Sequence, residues 1–382
     1  MPRTFATGPG HTSSLRVLVL NAGSSSIKVS VLGDDDEVVS RHDFELAGGK
    51  VDEAEVTAAV RSMEDVQAVG HRVVHSGPRY PGSVRIDPEV TRYLGTIVDL
   101  APLHLPAALA GIAAVYRLLP QIPAVACFDT AFHSGMPAAA STYAIPPEWR
   151  ERYRIRRYGF HGFSHAYAAR RAAEMLQRPP SELRVVTCHL GAGASLAAVQ
   201  GGKSVDTTMG FTPLEGLVMA TRSGTVDPGL LLWLQRHKGM TEAELAEALD
   251  QRSGLQALAG TADMREVLER MSGGDQPAQL AFDVYIHRLR SLVASMAAAM
   301  GGLDVLVFTG GVGENAPEVR AATVAGLRFL GLAIERALNA SVETDTDISA
   351  ADARLPTLVV KAREDVEVAR EVRRILAEPT QL

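Results

Sequence analysis

Branched apolar residues come in short bursts along this chain, and each burst is cut off by glycine, asparagine or a hydroxyl. Val17-Leu18-Val19-Leu20 ends at Asn21; after the turn Gly23-Ser24-Ser25-Ser26 a second apolar stretch, Ile27–Leu32, begins. Runs of this length between turn residues predict strands. The same reading predicts strands at Ala68–His75, Val125–Thr130, Leu303–Phe308 and Leu355–Val360, and a glycine-broken hairpin at Arg184–Gly201. Helical spacing predicts helices at Val51–Met63, Glu89–Ala101, Pro106–Leu119, Gly162–Gln177, Pro228–Asp250, Ser253–Gly260, Asp263–Met271, Pro277–Met300, Glu318–Phe329 and Arg363–Ala377. Asp34–Gly49 is polar and turn-rich with room for one short strand. Ser76–Ile86 reads as a Gly/Pro loop, and Asp206–Asp227 as a long loop dense in Gly, Thr and Pro. Strands alternating with helices make this an α/β chain.

One strand–turn–strand device occurs twice. At an offset of 168 residues, from Arg16 to Arg184, Arg184–Gly201 falls on Arg16–Gly33 without a gap: Val185 on Val17, Gly191 on Gly23, Val199 on Val31, His189 on Asn21. Such a repeat implies two similar halves, each presenting one glycine-turn hairpin.

Length agrees with two halves, because 382 residues exceed what one hydrophobic core serves. The proline-rich, basic stretch 131–157 holds the boundary near its start. Hydrophobic residues are 46% and aromatics 5%, with a net charge of −6 from interspersed acids and bases, and nothing in this suggests a basic nucleic-acid surface. No apolar run approaches the ~18–20 residues of a membrane helix. Residues 1–15 lack the apolar core of a signal peptide and read as a disordered tail. Cys127 and Cys188 end apolar runs and read as buried free thiols of a reducing, cytoplasmic protein.

The candidate chemistry sits at strand ends. Asn-x-Gly-Ser-Ser-Ser followed by Lys28 offers backbone N–H groups, hydroxyls and an ammonium to a phosphate, or else is an ordinary hairpin turn. Gly310-Gly311-Val312-Gly313-Glu314-Asn315 follows a buried strand and, with Ala316, matches G-x-G-x-x-A at Gly311, Gly313 and Ala316. With Pro317 where the helix should begin, a nucleotide contact fits better than a full NAD site. Gly201-Gly202-Lys203-Ser204 lacks the first glycine of a P-loop, replaced by Ala197. Arg72 is a site cation or a surface strand arginine, Asp129 a site carboxylate or a helix cap, and His189 a catalytic or a buried structural imidazole. His161 and His165, four apart with Gly162 after the first, do not make a zinc site. Arg222, among small residues in a loop that also holds Met, Phe, Leu and Val, suits an anion.

Taken together, VLVLNAGSSSIK, VGHRVVHSG, APLHLP, CFDTAFH, YGFHGFSH, VVTCHLGAGAS, MGFTPLEGLVMATRSGTVDP, TGGVGEN and the terminal ARED-VEVAREV closely resemble the acetokinase family over residues 16 to about 373. The resemblance implies a duplicated actin-like (ribonuclease H-like) two-domain α/β fold with the active site in an interdomain cleft. Residues 16–131 with about 366–382 would form the lobe for the acyl substrate and first phosphate hairpin. Residues 132–365 would form the lobe for nucleotide and homodimerisation. The implied reaction is ATP + acetate ⇌ ADP + acetyl phosphate with Mg²⁺, or Mn²⁺ as the alternative ion, and with no nucleic-acid or membrane partner. Asn21 and Glu364 would hold the metal, and Lys28 would serve ATP. Arg72 would bind the carboxylate, and Val74, Leu103, Phe160 and Pro213 the acyl methyl. Asp129, His161 and Arg222 would be catalytic, the last two stabilising the transferring phosphoryl group. His189, Leu190, Gly191, Ala192, Gly193, Asp263, Met264, Arg265, Gly311, Val312, Gly313, Glu314 and Asn315 would line the nucleotide. A carboxylate nucleophile is already ionised at pH 7, so Asp129 suits positioning Mg²⁺ or its water better than removing a proton.

The chain departs from the family pattern at Ser76 in His75-Ser76-Gly77, at Ala192 and Ala194 in the second turn, and at Asp365 in Arg363-Glu364-Asp365. The lost polar side chains of the second turn bear on nucleotide affinity and phosphoryl-donor preference. The rival readings are the same chemistry on propionate or butyrate, an actin- or Hsp70-like ATPase without an acid substrate, and an NAD enzyme resting on Gly311–Ala316 alone.

Overall fold

The computed structural model describes residues 15–22, 26–45, 63, 65–102 and 104–378. The expected tail up to Ser14, the turn residues Gly23, Ser24 and Ser25, nearly all of the expected helix Val51–Met63, and Leu103 lie outside the described residues. The chain divides into two compact units. Unit one takes the described residues of Met1–Phe128 and Asp365–Leu382, and unit two takes Asp129–Glu364.

Unit one is a sheet of β1 (Val17–Ala22), β2 (Ser26–Leu32), β3 (Val38–Glu45), β4 (Ala68–Val73), β5 (Val84–Arg85) and β6 (Ala124–Phe128), in the order β3-β2-β1-β4-β6-β5. β1, β2 and β3 form an antiparallel meander; β4 and β6 add in parallel to β1, and β5 closes the edge antiparallel. The apolar burst of β1 is fully internal: Leu18 and Leu20 pack with Val29, Val31, Phe44, Val69 and Val115. Each such side chain contributes about 1.5–3 kcal/mol by leaving water. β3 occupies all of Val38–Glu45, longer than the polar composition suggests. It is an edge strand with one neighbour, so most of its side chains face solvent and read like a loop.

Unit two repeats the plan. β7 (Arg184–Leu190), β8 (Ala194–Gln200) and β9 (Lys203–Thr207) form the meander; β10 (Val305–Thr309) and β12 (Thr357–Val359) add in parallel, and β11 (Thr346–Asp347) closes antiparallel, giving β11-β12-β10-β7-β8-β9. Helix Gly162–Met175 lays Ala168, Ala169, Ala172 and Ala173 on Val185, Val199, Val305 and Val307.

The two hairpins differ in one respect. The β1–β2 ladder closes at Ala22↔Ile27, whereas β7–β8 closes at Leu190↔Ala194, a connection one residue shorter. The gapless sequence offset sets Leu196 against Lys28; the ladders put Ser195 in Lys28's place, opposite His189 as Lys28 is opposite Asn21. The predicted helix Pro228–Asp250 is two helices, Pro228–Lys238 and Glu242–Gln251. Gly239 ends the first with φ +66°, and a Thr241/Glu244 capping box starts the second. Both cysteines are buried free thiols, as their sequence setting suggested.

Candidate active site

In unit one, one row crosses three strands. Lys28 on β2 pairs with Asn21 on β1, and Asn21 pairs in parallel with Arg72 on β4. Residues in register point to one face. Arg72 Nη1 donates to Asn21 Oδ1 at 2.8 Å, so the guanidinium is fixed near the end of β1. Lys28 is exposed. Val74, just past β4, is buried, and the next residue, His75, accepts the N–H of Gly77 at Nδ1, 2.8 Å. Burial holds His75 and the β4 residue His71 down to about 4, so both rings are neutral.

In unit two the equivalent row is Ser195, His189 and Thr309, hydroxyls around an imidazole where unit one has cations around an amide. His161 precedes helix Gly162–Met175 in a left-handed conformation, φ 56°. Gly162 is required there: a Cβ would lie 2.2 Å from the carbonyl oxygen of Asp129, which instead accepts the Gly162 N–H at 3.0 Å. This bond ties buried Asp129 to the start of the helix that carries His161, Ser164 and His165. The His161 and His189 ring centroids lie 4.3 Å apart with the planes tilted by 30°, His161 Nδ1 lies 2.9 Å from Ser195 Oγ, and His189 Nδ1 lies 2.7 Å from Ser164 Oγ. Phe160 is buried, and its carbonyl lies 3.0 Å from Nε2 of His133, whose Nδ1 lies 2.7 Å from Ser204 Oγ. Burial lowers His133 to about 4. The neutral ring therefore donates from Nε2 to the Phe160 carbonyl and accepts at Nδ1 from Ser204.

The second turn draws the site together. A Cβ on Gly193 would lie 3.3 Å from His161 Nε2 and 3.5 Å from Arg222 Nη1. Arg222 comes from the long loop, which is not a surface excursion: Met209, Leu217, Val218 and Met219 are buried, and Ala220 donates to the Ala192 carbonyl. Arg222 Nε donates to Asp250 Oδ1 at 3.0 Å and Nη1 to the Pro213 carbonyl at 3.4 Å. The guanidinium is thus anchored at one edge and turned to Gly193 at the other.

Gly310–Asn315, expected from the sequence to be a strand-to-helix turn, is itself a short helix resting on the end of β7. Gly310 has φ +80°, and a Cβ there would lie 2.8 Å from the Leu190 carbonyl oxygen. Asn315 Nδ2 donates to the Gly311 carbonyl. Glu314 faces inward, its Oε1 accepting from the N–H groups of Gly310 at 3.0 Å and Ala362 at 2.9 Å. Arg320, which is 1% exposed, donates from Nη1 to the carbonyls of Gly313 and Glu314 and from Nε and Nη2 to the side chain and carbonyl of Asn339. All these acceptors are neutral, and burial lowers the guanidinium to about 10. Asp263 caps helix Met264–Ser272, and the exposed Arg265 folds back on it in a two-pronged ion pair that holds its carboxyl below the usual range. Met264 is buried, and Glu364 opens the helix Glu364–Ala377. Ser164, Ser195, Asp250 and Arg320 escaped the sequence reading. Only the i, i+3, i+4 spacing of His161, Ser164 and His165 signalled a shared polar face.

The sequence profile of the Acetokinase family matches residues 42–370. The chain belongs to the acetokinase family. An acetate kinase of Gloeobacter violaceus is 46% identical, the match covering 94% of this chain and 98% of that protein. Among solved structures, Porphyromonas gingivalis acetate kinase superposes with a TM-score of 0.87 at 36% identity, covering 95% of this chain and all (100%) of that one. A propionate kinase from Francisella tularensis follows with a TM-score of 0.86 at 35% identity, covering 94% of this chain and 100% of that one. The acetokinase fold is therefore that of this α/β chain, and the two matching sheets are its internal duplication.

Proposed function

We propose that the protein is an acetate kinase, transferring the γ-phosphoryl group of ATP reversibly to a carboxylate oxygen of acetate and giving acetyl phosphate and ADP. The observation that carries this reading is the family match along residues 42–370, in a chain whose His161, Arg222 and Gly193 meet at one glycine turn. In the forward step the acetate oxygen forms a bond to phosphorus as the bond to the ADP oxygen breaks; no proton moves. The obstacle is anion meeting anion, and positioning plus charge neutralisation is the general answer. Arg72, held by Asn21, takes the carboxylate, with Val74, Leu103, Phe160 and Pro213 around the methyl group. Arg222 and His161 donate to the oxygens of the transferring group, and Asp129 fixes the start of the helix behind His161. The backbone of Leu190–Gly193 and of Gly311–Asn315, with His189 and the Asp263–Arg265 segment, receives the nucleotide, and Lys28 supplies positive charge beside the first turn.

Mg²⁺ would be held through Asn21 and Glu364. An amide oxygen and a carboxylate suit an ion that keeps most of its positions for phosphates and water, and no group of three or more His, Cys, Asp or Glu among the described residues forms a cage. When bound, the ion neutralises phosphate charge. We extend the reading to a homodimer through unit two. Helix Pro228–Lys238 has no buried residue, and Leu230, Leu232 and Trp233 are 46%, 51% and 47% exposed. We extend the reading also to a cytoplasmic location, where ATP is at hand. No helix among the described residues is long and apolar enough to cross a membrane.

The test is acyl hydroxamate formation from Mg-ATP and hydroxylamine with acetate, propionate, butyrate or no acid. Product that is greatest with acetate supports the reading. A maximum at propionate, the second reading favoured by the similar fit of the Francisella enzyme, keeps the mechanism and changes the substrate. ATP turnover without hydroxamate refutes both. One methylene in an apolar pocket is worth only ~1–3 kcal/mol, so the acids should differ by degree.

A further inference from the structure

Three hydrogen bonds run in line from the interior of unit two to His161. Thr187 Oγ1 lies 2.7 Å from His165 Nδ1, His165 Nε2 lies 2.8 Å from Ser195 Oγ, and Ser195 Oγ lies 2.9 Å from His161 Nδ1. Thr187, His165 and Ser195 are wholly buried. Each hydroxyl has one proton to give, so the direction of one bond fixes the next. Burial holds His165 well below the ordinary imidazole range, so its ring is neutral, with one N–H and one lone pair. Thr187 Oγ1 also donates to the carbonyl of Ala197 at 3.5 Å, and a carbonyl can only accept. Thr187 then accepts from His165 Nδ1–H, His165 Nε2 accepts the proton of Ser195, and the Ser195 oxygen accepts from His161 Nδ1–H. The reverse direction leaves the Ala197 contact unmade and has Ser195 donate to a lone pair on His161 Nδ1, the tautomer whose one proton sits on Nε2.

We infer that Thr187, His165 and Ser195 are positioning residues that keep a proton on Nδ1 of His161 and so present its Nε2 to the phosphate turn. Nε2 is the atom 3.3 Å from where a Gly193 side chain would begin. With a second proton on Nε2 the ring donates to a phosphoryl oxygen; without it, a lone pair would face the anion. The row thus favours the imidazolium, because Ser195 accepts its Nδ1–H while its Nε2–H and charge face the phosphate turn, and in this it rests on the role proposed above. Titratable and charged groups facing His161 include His165 on its own helix, His189 on β7 and Arg222 across Gly193. None of these supplies an acceptor to Nδ1, which is already 2.9 Å from Ser195.

Histidine-¹⁵N-labelled protein without ligand reports tautomers directly through long-range ¹H–¹⁵N couplings, whatever the activity. The expected result is His165 protonated on Nδ1 only and His161 protonated on Nδ1, from neutral to alkaline pH. A His161 Nδ1 lone pair in the free protein overturns the inference and leaves the acetate kinase reading standing; absence of any hydroxamate does the opposite. Ser195→Ala removes the acceptor, and Ser195→Thr restores it. For Ser195→Ala, kcat should fall about 10- to 100-fold, the usual loss for one hydrogen bond to a charged group, with KM for acetate within about twofold. The alkaline limb of the kcat–pH profile should move to lower pH, and Ser195→Thr should recover both. A folded Ser195→Ala with unchanged kcat and profile also overturns the inference. If that variant does not fold, the tautomers of the unsubstituted protein decide.

Discussion

Replacing Arg222 by lysine keeps a positive charge and removes the fork that aims it. In the structure one edge of the guanidinium is committed, Nε to Asp250 Oδ1 at 3.0 Å, while Nη1 faces the second turn, 3.5 Å from where a Gly193 side chain would begin. An ammonium is one centre and can serve either Asp250 or the turn. An arginine acting on a transferring phosphoryl group is worth about 10³–10⁵ in rate. Keeping the charge but not its aim should forfeit most of this, lowering kcat about 10²–10³-fold with little change in KM for acetate. The fold should hardly respond. The Arg222 and Asp250 side chains are 18% and 31% exposed, and such a pair contributes ~0.2–1 kcal/mol, under about 4 °C in Tm. Hydroxamate kinetics at saturating ATP, with a thermal melt of the same preparation, measure both. A kcat within about threefold of the parent would refute the role of the fork. A Tm loss above about 10 °C would make Arg222 a scaffold residue instead.

Gly162→Ala should lower stability by about 1–3 kcal/mol, read as a lower urea midpoint, because its Cβ would meet the Asp129 carbonyl oxygen at 2.2 Å; an unchanged midpoint would mean that the helix start can shift freely. Trp233→Glu on the exposed helix should turn the proposed dimer into a monomer by light scattering, and a dimer of unchanged mass would place the interface elsewhere. Stability should also fall in acid. Burial holds His71, His75 and His133 near about 4 against 6.5 when unfolded, so between these values the unfolded chain binds protons that the folded chain refuses. That contribution is complete above about pH 6.5 and is lost as pH falls towards 4, at up to ~1.4 kcal/mol per pH unit for each ring. Urea midpoints that stay level from pH 7.5 to 5 would contradict it, and His133→Gln should flatten the slope.

Much of this was legible in the chain because the central strands are buried on both faces. Val17–Leu20, Val185–Val186 and Val305–Phe308 show uninterrupted apolar runs, and the turns after them must be small. The break at Gly239 and Thr241 was also legible, since Thr241-Glu242-Ala243-Glu244 spells its own capping box, but continuous apolar spacing masked it. β3 could not be told from a loop, because an edge strand with exposed side chains has a loop's composition. The gapless repeat, too, concealed the shorter second turn. Sequence similarity continues through the slip, and only the hydrogen-bonded ladder reveals that Ser195, not Leu196, stands where Lys28 does. That displacement hid the serine on which His161 rests, and Arg320 was hidden because nothing in sequence distinguishes a buried arginine from a surface one.

Arg320 carries its charge into the interior with only neutral oxygens as hydrogen-bond partners, two of them the carbonyls of Gly313 and Glu314. Those oxygens serve as its private solvent. If the Gly310–Asn315 segment swings away, the buried guanidinium keeps only its two contacts to Asn339, and the penalty for leaving half its donors unmet exceeds that for distorting a short glycine-rich segment. The segment, half of it glycine, is therefore held by Arg320 as well as by its own Glu314 and Asn315 side chains. A lysine in place of Arg320 could not bridge both sides. The glycines are thus free to be as bare as a phosphate needs, because rigidity is supplied by a side chain that never has to meet one.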